Sequence, residues 1–414
     1  MVVGGLYALA SLGRNASLPA DVGPFLAGVL LLVVIAHIVT RKVAPAADAL
    51  LLPIAALLNG IGYVFIARLD KDLAALQATW TFVGITGFVL TLVLVRDIKV
   101  LQRYRYTFGL VGLLLLMLPL LPGIGRNING ARIWVEIGPV SFQPGEFAKI
   151  ALAIFFAGYL MEKRELLGVA TFRLGPVNIP DPRHFFPILG AWGVALVVMI
   201  FERDLGSALL FFVLFVVMLW VATGRVSYLV AGGGLFAIGA WLSWSRFDHV
   251  KTRVDIWLDP WADPSGSGYQ IVQAAYALAW GGTTGTGPGL GIAGRIPFEE
   301  TDFIFAIIAE ELGVLGSTAI LCAFLLLAGS GLRIARRCSD GFMALLAVGL
   351  TTLIAVQAFI IIAGVIRLLP LTGITLPFVS YGGSSLVANY VLLALLMRIS
   401  DQASRRIAQP AVAQ

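Results

Sequence analysis

The chain has 414 residues, of which 59% are hydrophobic and only 13% charged, and its formal net charge is +6. A soluble domain usually carries about 25% charged residues. This excludes a soluble fold of this size, along with the nucleic-acid reading its basic balance would otherwise invite, because apolar surface on this scale needs lipid. The two cysteines, Cys322 and Cys338, make no metal motif and no disulfide framework, and the apolar start lacks the basic n-region of a secretory signal.

A spanning helix needs roughly 20 apolar residues. In chain order, full spans are expected near 24–40, 49–67, 77–95, 105–122, 143–160, 184–201, 205–222, 226–246, 303–330, 342–366 and 383–399. Residues 2–12 are too short to cross and read as part of a span or as an interfacial segment. The expected fold class is all-α: a polytopic membrane helix bundle of about 11 full spans. When the loops are alternated between two sides, 17 Lys and Arg fall on one side and 11 on the other, with Lys149 inside a span. The positive-inside rule makes the richer side cytoplasmic, which puts the C-terminus inside and the loops 123–142 and 247–302 outside. The second is the longest polar stretch, and loops of that length are usually functional. Within it, YQIVQAAYALAW (269–280) reads as a short interfacial helix and GGTTGTGPGLGIAG (281–294) as a flexible loop. No strand precedes that glycine run and it lacks GxxxxGK[ST], which argues against a nucleotide site. The Ala/Gln-rich tail after Arg406 is expected to be disordered.

Ionisable groups within apolar runs are functional candidates by default. In FQPGEFAKI (142–150), Glu146 and Lys149 stand i,i+3 and share a helix face. They read either as a cavity-lining pair or as a structural pair that neutralises itself. In EETDFIFAIIAEELG (299–313), Asp302 sits where the long outer loop enters a helix. Thr301 or Asp302 could simply cap that helix. Glu310 lies about 12 Å further along the axis, which suggests a polar cavity open outward. In FERDLGSALL (201–210), Asp204 reads as an N-cap or as part of that cavity. On the other outer loop, Arg132 has the planar fork suited to phosphate, and Trp134 reads as a contact or an interface anchor. In LPLTGITLPFVSYGGSS (369–385), Gly and Pro break the helical pattern, and irregular backbone at membrane depth is tolerated only when buried or lining a cavity. The histidines His37, His184 and His249 are scattered and read as helix ends and loops rather than metal ligands.

Six stretches, NGARIW, FQPGEFAK, ERDLG, DPWADPSGSGYQ, ETDFIFAIIAEELG and LPLTGITLPFVSYGGSS, resemble in order the motifs of the SEDS family (shape, elongation, division and sporulation), and the likeness spans roughly 49–400. Two departures stand out. Residues 1–48 hold at least one membrane segment beyond the family's ten-span core, and Arg203 stands where the family commonly has proline. The resemblance implies peptidoglycan glycosyltransfer: polymerisation of lipid II at the outer face of the cytoplasmic membrane, for elongation or division, with a class B penicillin-binding protein as partner. It implies Asp302 as the catalytic carboxylate; the candidate substrate contacts, chosen by chemistry and position, are Arg132, Trp134, Glu146, Lys149, Asp204, Glu310, Ser380 and Tyr381. It implies no firm cofactor, with room for a divalent cation at the pyrophosphate and none of the usual metal motifs. Apolar grooves between spans could hold the polyprenyl tail. The rival reading is a lipid II flippase, since cavity charges and broken helices suit transport as well; a third is a scaffold that recruits the penicillin-binding protein. By this reading the chain divides into an extra N-terminal part (1–48), a membrane core (49–400) and a cytoplasmic tail (401–414).

Overall fold

The computed structural model describes residues 2–15, 22–128, 130–138, 140–168, 172–174, 177–179, 182–292 and 294–408. Two helices, α1 (Val2–Asn15) and α2 (Val22–Val43), precede α3 (Leu51–Leu69), α4 (Lys71–Leu94), the short α5 (Lys99–Arg103) and α6 (Arg105–Met117). Then come α7 (Pro144–Gly168), α8 (Pro182–Glu202), α9 (Leu205–Thr223) and α10 (Ser227–Arg246). The long loop carries α11 (Asp248–Leu258) and α12 (Tyr269–Gly281), and α13 (Ile304–Arg337), α14 (Gly341–Val365) and α15 (Gly383–Ala408) follow it.

Among the described residues, α3, α4, α7, α9, α10, α13, α14 and α15 are long and apolar enough to cross a membrane, whereas the apolar stretches at α1, α6 and α8 are shorter. Eight of the eleven expected spans meet that criterion among the described residues. The span expected at 105–122 is helical only to Met117 and tightens into a 3-10 turn over Leu118–Leu120. Pro119 sits in that turn, where it has no N–H to continue the ladder. In the middle of the bundle, α7 and α14 bury most of their surface, while α10 lies at the edge. Small residues set the closest approaches, as is usual where lipid supplies no hydrophobic drive between helices. A Cβ at Gly109 of α6 would fall 2.8 Å from Phe155 of α7, and one at Gly84 of α4 would fall 2.7 Å from Tyr390 of α15.

Four polar segments that charge counting assigns to one side meet in the packing. At one end, Arg398 donates to the Val43 carbonyl at 2.8 Å, Asp401 accepts from Ala46 N–H at 2.9 Å, and Arg333 meets Asp48 at 2.8 Å. Lys99 meets Asp340 there at 3.1 Å. These contacts gather the polar segments near 43–48, 96–99, 333–340 and 398–405, all from the cation-rich side.

Two segments differ from expectation. Loop 123–142 folds into a three-stranded antiparallel sheet, β1 (Gly125–Ile128), β2 (Ala131–Ile137) and β3 (Val140–Phe142). The strand signal there is short and interrupted by Gly and Asn. The stretch expected to be a helix at 303–330 is longer and is broken at Gly313, whose φ of 64° and ψ of −165° lie in territory open to glycine. The N–H groups freed by the break are met from outside the helix: Val314 donates to Gly282 O at 3.0 Å and Leu315 to Thr283 O at 3.2 Å. On the expected inner side, β4 (Phe172–Leu174) pairs with β5 (Val177–Ile179). The remainder of 169–181 lies outside the described residues, as does the expected tail from 409 onward.

Candidate active site

The extended stretch between α14 and α15 is the hub of the site, because its irregular backbone needs partners at membrane depth. Arg253 donates to the carbonyls of Leu371 at 3.2 Å and Thr372 at 2.9 Å. It comes from α11, whose face at Val250, Arg253 and Trp257 turns inward while Lys251 and Asp255 are exposed. Gln357 of α14 donates to Thr375 O at 2.8 Å and accepts from Lys149 Nζ at 2.9 Å. Lys149 in turn meets Glu146 at 2.8 Å, with both side chains about 5% exposed. The i,i+3 pair expected from sequence is therefore real, and it is extended by a glutamine the motif does not reveal.

Asp302 comes to this hub from the other side. Gly373, with φ of 75°, lies between it and Arg253. A Cβ there would stand 3.7 Å from Asp302 Oδ2 and 3.8 Å from Arg253 Nη2. The backbone at Gly373 therefore runs close beside both the acid and the cation. The helix α13 begins without a side-chain cap, so the capping role considered for Thr301 or Asp302 is not the one the structure uses. Burial pushes the Asp302 carboxyl up to about 6, opposed by the neighbouring Arg253 cation and the Thr301 hydroxyl. Arg253 is lowered by burial, with the charges of Asp204 and Asp302 working against that shift.

Asp204 is the N-cap of α9, accepting from Ser207 N–H at 2.9 Å. Burial raises its carboxyl, while the Ser207 bonds and the Lys149 charge pull it down. It thus combines the cap expected from sequence with a place between the Lys149 pair and Arg253. The turn before it holds Arg203 at φ 61°, a value that proline cannot take.

Ser380 and Tyr381 sit beside Asp302, held by backbone contacts. The Ser380 hydroxyl donates to Thr301 O at 2.6 Å and accepts from Leu376 N–H at 2.9 Å, and Tyr381 N–H donates to Glu300 O at 2.9 Å. These bonds fix the residues on either side of the loop–helix junction. The structure does not bring Glu310 to this group. Its carboxylate accepts from Ile292 N–H at 3.2 Å, and its neighbour Glu311 accepts from Gly289 N–H at 2.7 Å and pairs with Arg68. The glycine run expected to be a flexible loop is wrapped around these two acids. The expectation of a cavity acid at Glu310 is corrected accordingly: a local helix count gives depth, whereas the partner comes from a loop 18 residues away. Arg132 and Trp134 share one face of β2 with Glu136, opposite buried Val135. Among the described residues no contact joins that face to Asp302.

Sequence reasoning missed Arg253, Gln357 and Gly373. Arg253 had one usable signal, a cation on the apolar face of a short amphipathic helix just before DPWADPSGSGYQ. Gln357 had only its polarity within an apolar span.

The protein-family model "Cell cycle protein", covering FtsW, RodA and SpoVE, matches residues 48–405. The chain belongs to this family. It is 47% identical over 381 residues to the peptidoglycan glycosyltransferase RodA of Mycobacterium tuberculosis, a match covering 89% of this chain and 81% of that one. It is 35% identical to the stage V sporulation protein E of Bacillus subtilis, with 87% and 98% covered. Among solved structures, it resembles a chain of a peptidoglycan synthase complex that coordinates polymerization and crosslinking, with a TM-score of 0.70 and 27% identity over 86% of this chain and 98% of the other. It also resembles Thermus thermophilus RodA, with a TM-score of 0.61 and 25% identity over 88% and 98%. The family's matched region takes in every element of the hub and leaves out α1 and α2.

Proposed function

We propose that this protein polymerises lipid II into glycan strands at the outer face of the cytoplasmic membrane, with Asp302 as general base. The glycosyltransferase activity is supported by the identity to RodA over most of the chain. The observation that supports the role of Asp302 is its carboxylate set beside the Arg253 guanidinium at a loop–helix junction, both within 4 Å of a Cβ position on Gly373. In the reaction a sugar hydroxyl attacks an anomeric carbon and a lipid pyrophosphate leaves. A carboxylate near neutrality takes the hydroxyl proton, and a planar guanidinium beside it offsets the pyrophosphate charge. Lys149 and Arg132 remain further candidates for that charge, and Glu146, Trp134 and Asp204 for sugar or phosphate contacts. A divalent cation on the pyrophosphate would need only one or two protein carboxylates besides phosphate oxygens. Asp204 is the buried carboxylate placed to serve it, and no step here depends on the metal.

The higher identity to RodA than to the sporulation relative supports a role in elongation as our reading. A class B penicillin-binding protein is the partner we expect, in keeping with the likeness to a chain of a synthase complex. The C-terminus is assigned to the cytoplasm. An impermeant thiol reagent on intact cells should then label Ser265→Cys and spare Gly168→Cys, and the reverse pattern would invert the map.

The catalytic assignment is tested by Asp302→Asn in purified, folded protein. Asparagine keeps the size and polarity of aspartate but cannot take the proton. Lipid II polymerisation should fall by about 10²-fold or more with folding and partner binding intact. Near-normal synthesis would return Asp302 to a structural role. A flippase would translocate lipid II with or without Asp302 and polymerise nothing.

A further inference from the structure

The helix α1 lies outside the region that the family model matches, yet it touches the machinery that holds Asp302. Its residues at positions 3, 7, 10 and 13 face one way. Val3 fills the space beside Gly60 of α3, where a Cβ would meet its side chain at 2.6 Å. The rings of Tyr7 and Tyr63 stand 6.3 Å apart. Beyond them the same face reaches the outer glycine run: a Cβ on Gly13 would fall 2.4 Å from Pro288 O, and one on Gly289 would fall 2.2 Å from Ala10 O. These are backbone-to-backbone approaches that only glycine permits at this separation, and Gly289 has φ of 80° besides.

The segment that α1 touches is the one wrapped around Glu310 and Glu311. Gly289 N–H donates to Glu311, Ile292 N–H to Glu310, and Thr286 and Gly287 N–H to the carbonyls of these two acids at 2.9 and 3.1 Å. Arg68, at the outer end of α3, pairs with Glu311 and donates to Gly291 O. The acids end a buried helical segment, Ile304–Glu311, just before the break at Gly313. Asp302 stands at its other end, about 13 Å away by helical rise. A short helix buried along its length transmits displacement as a rod, since packed interiors deform little.

We propose that α1 is a brace that positions Asp302: seated on Pro288–Leu290, it holds the loop that grips Glu310 and Glu311 and so fixes where the far end of that segment sets Asp302 against Arg253. The proposal rests on the assignment of Asp302 as base. The residues of the brace are positioning residues and touch no substrate.

The test compares two substitutions of equal size on one helix. Gly13→Leu drives a side chain into Pro288 O, whereas Gly5→Leu points into open space, with no atom within 4 Å of its Cβ. Seating is read by the rate at which an impermeant maleimide modifies Pro288→Cys in protein whose Cys322 and Cys338 are replaced by alanine. Catalysis is read as kcat and KM for lipid II. Gly13→Leu should speed labelling and lower kcat by about tenfold, within the roughly 10²-fold range that an ångström of misplacement can produce, and leave KM within about twofold. Gly5→Leu should match the parent in all three. If Gly13→Leu does not give monodisperse protein, Gly13→Ala makes the same comparison with a smaller clash. Unchanged labelling would show that α1 is not seated on the loop. Faster labelling with unchanged kcat would show that seating does not position the base, and a rise in KM alone would make the contact part of lipid binding. Each of these results overturns the brace. Undiminished activity of Asp302→Asn would instead sink the catalytic assignment while leaving the labelling result standing.

Discussion

One helix, α13, carries carboxylates in two settings. At Glu310 and Glu311 each carboxylate has a backbone donor, Ile292 N–H and Gly289 N–H respectively, and Arg68 pairs with Glu311, all deep in the protein. At Asp302, just ahead of the helix, no backbone N–H among the described residues donates to the carboxylate, the residue is only half-buried, and Gly373 lies beside both it and the Arg253 cation. The difference lies in what each carboxylate has left to do. An acid held by backbone donors and an arginine serves structure, and an acid that no backbone N–H binds keeps lone pairs with which to accept a proton.

The sharpest way to break this comparison is to remove one partner of the Arg68–Glu311 pair. Arg68→Met or Glu311→Gln leaves a buried charge uncompensated, which typically costs about 3–5 kcal/mol. Unfolding of the purified protein should show that loss in each single variant and a smaller one in the double. A double variant no more stable than the worse single would mean the two groups are not coupled. Asp302→Asn, by contrast, should leave unfolding near the parent's. A smaller effect is expected on removing Glu146, because Gln357 remains as a neutral partner for Lys149. Glu146→Gln should cost about 1–3 kcal/mol, less than Lys149→Met, which strands the buried carboxylate, and the double variant should regain part of that larger loss. Loss of polymerisation in all three variants despite full stability would make the pair a substrate contact rather than a structural one.

Sequence showed well what depends on neighbours along the chain. Glu146 and Lys149 are i,i+3, Asp204 precedes its helix by one residue, and the amphipathic run at 269–280 forms α12 as expected. What it hid depends on distant segments. Arg253 reaches Asp302 only because the 371–373 backbone comes between them, and Glu310 looks like a cavity acid until the glycine run closes on it. The break at Gly313 was hidden for the same reason. A glycine in an apolar run reads as ordinary helix, and the carbonyls of Gly282 and Thr283 that make the break affordable come from another loop.

The account turns on Asp302 being an ionised base with a carboxyl held near 6, and the pH dependence of lipid II polymerisation tests that most directly. The base must be deprotonated to work, so activity should be full above that value and fall as pH drops through about 6. Because Arg253 favours the ionised form, Arg253→Gln should move the acid limb to higher pH. The account predicts that limb near 6 in folded parent protein and its upward shift in the variant. A limb near the unperturbed aspartate value of about 4, unmoved by Arg253→Gln, would contradict it.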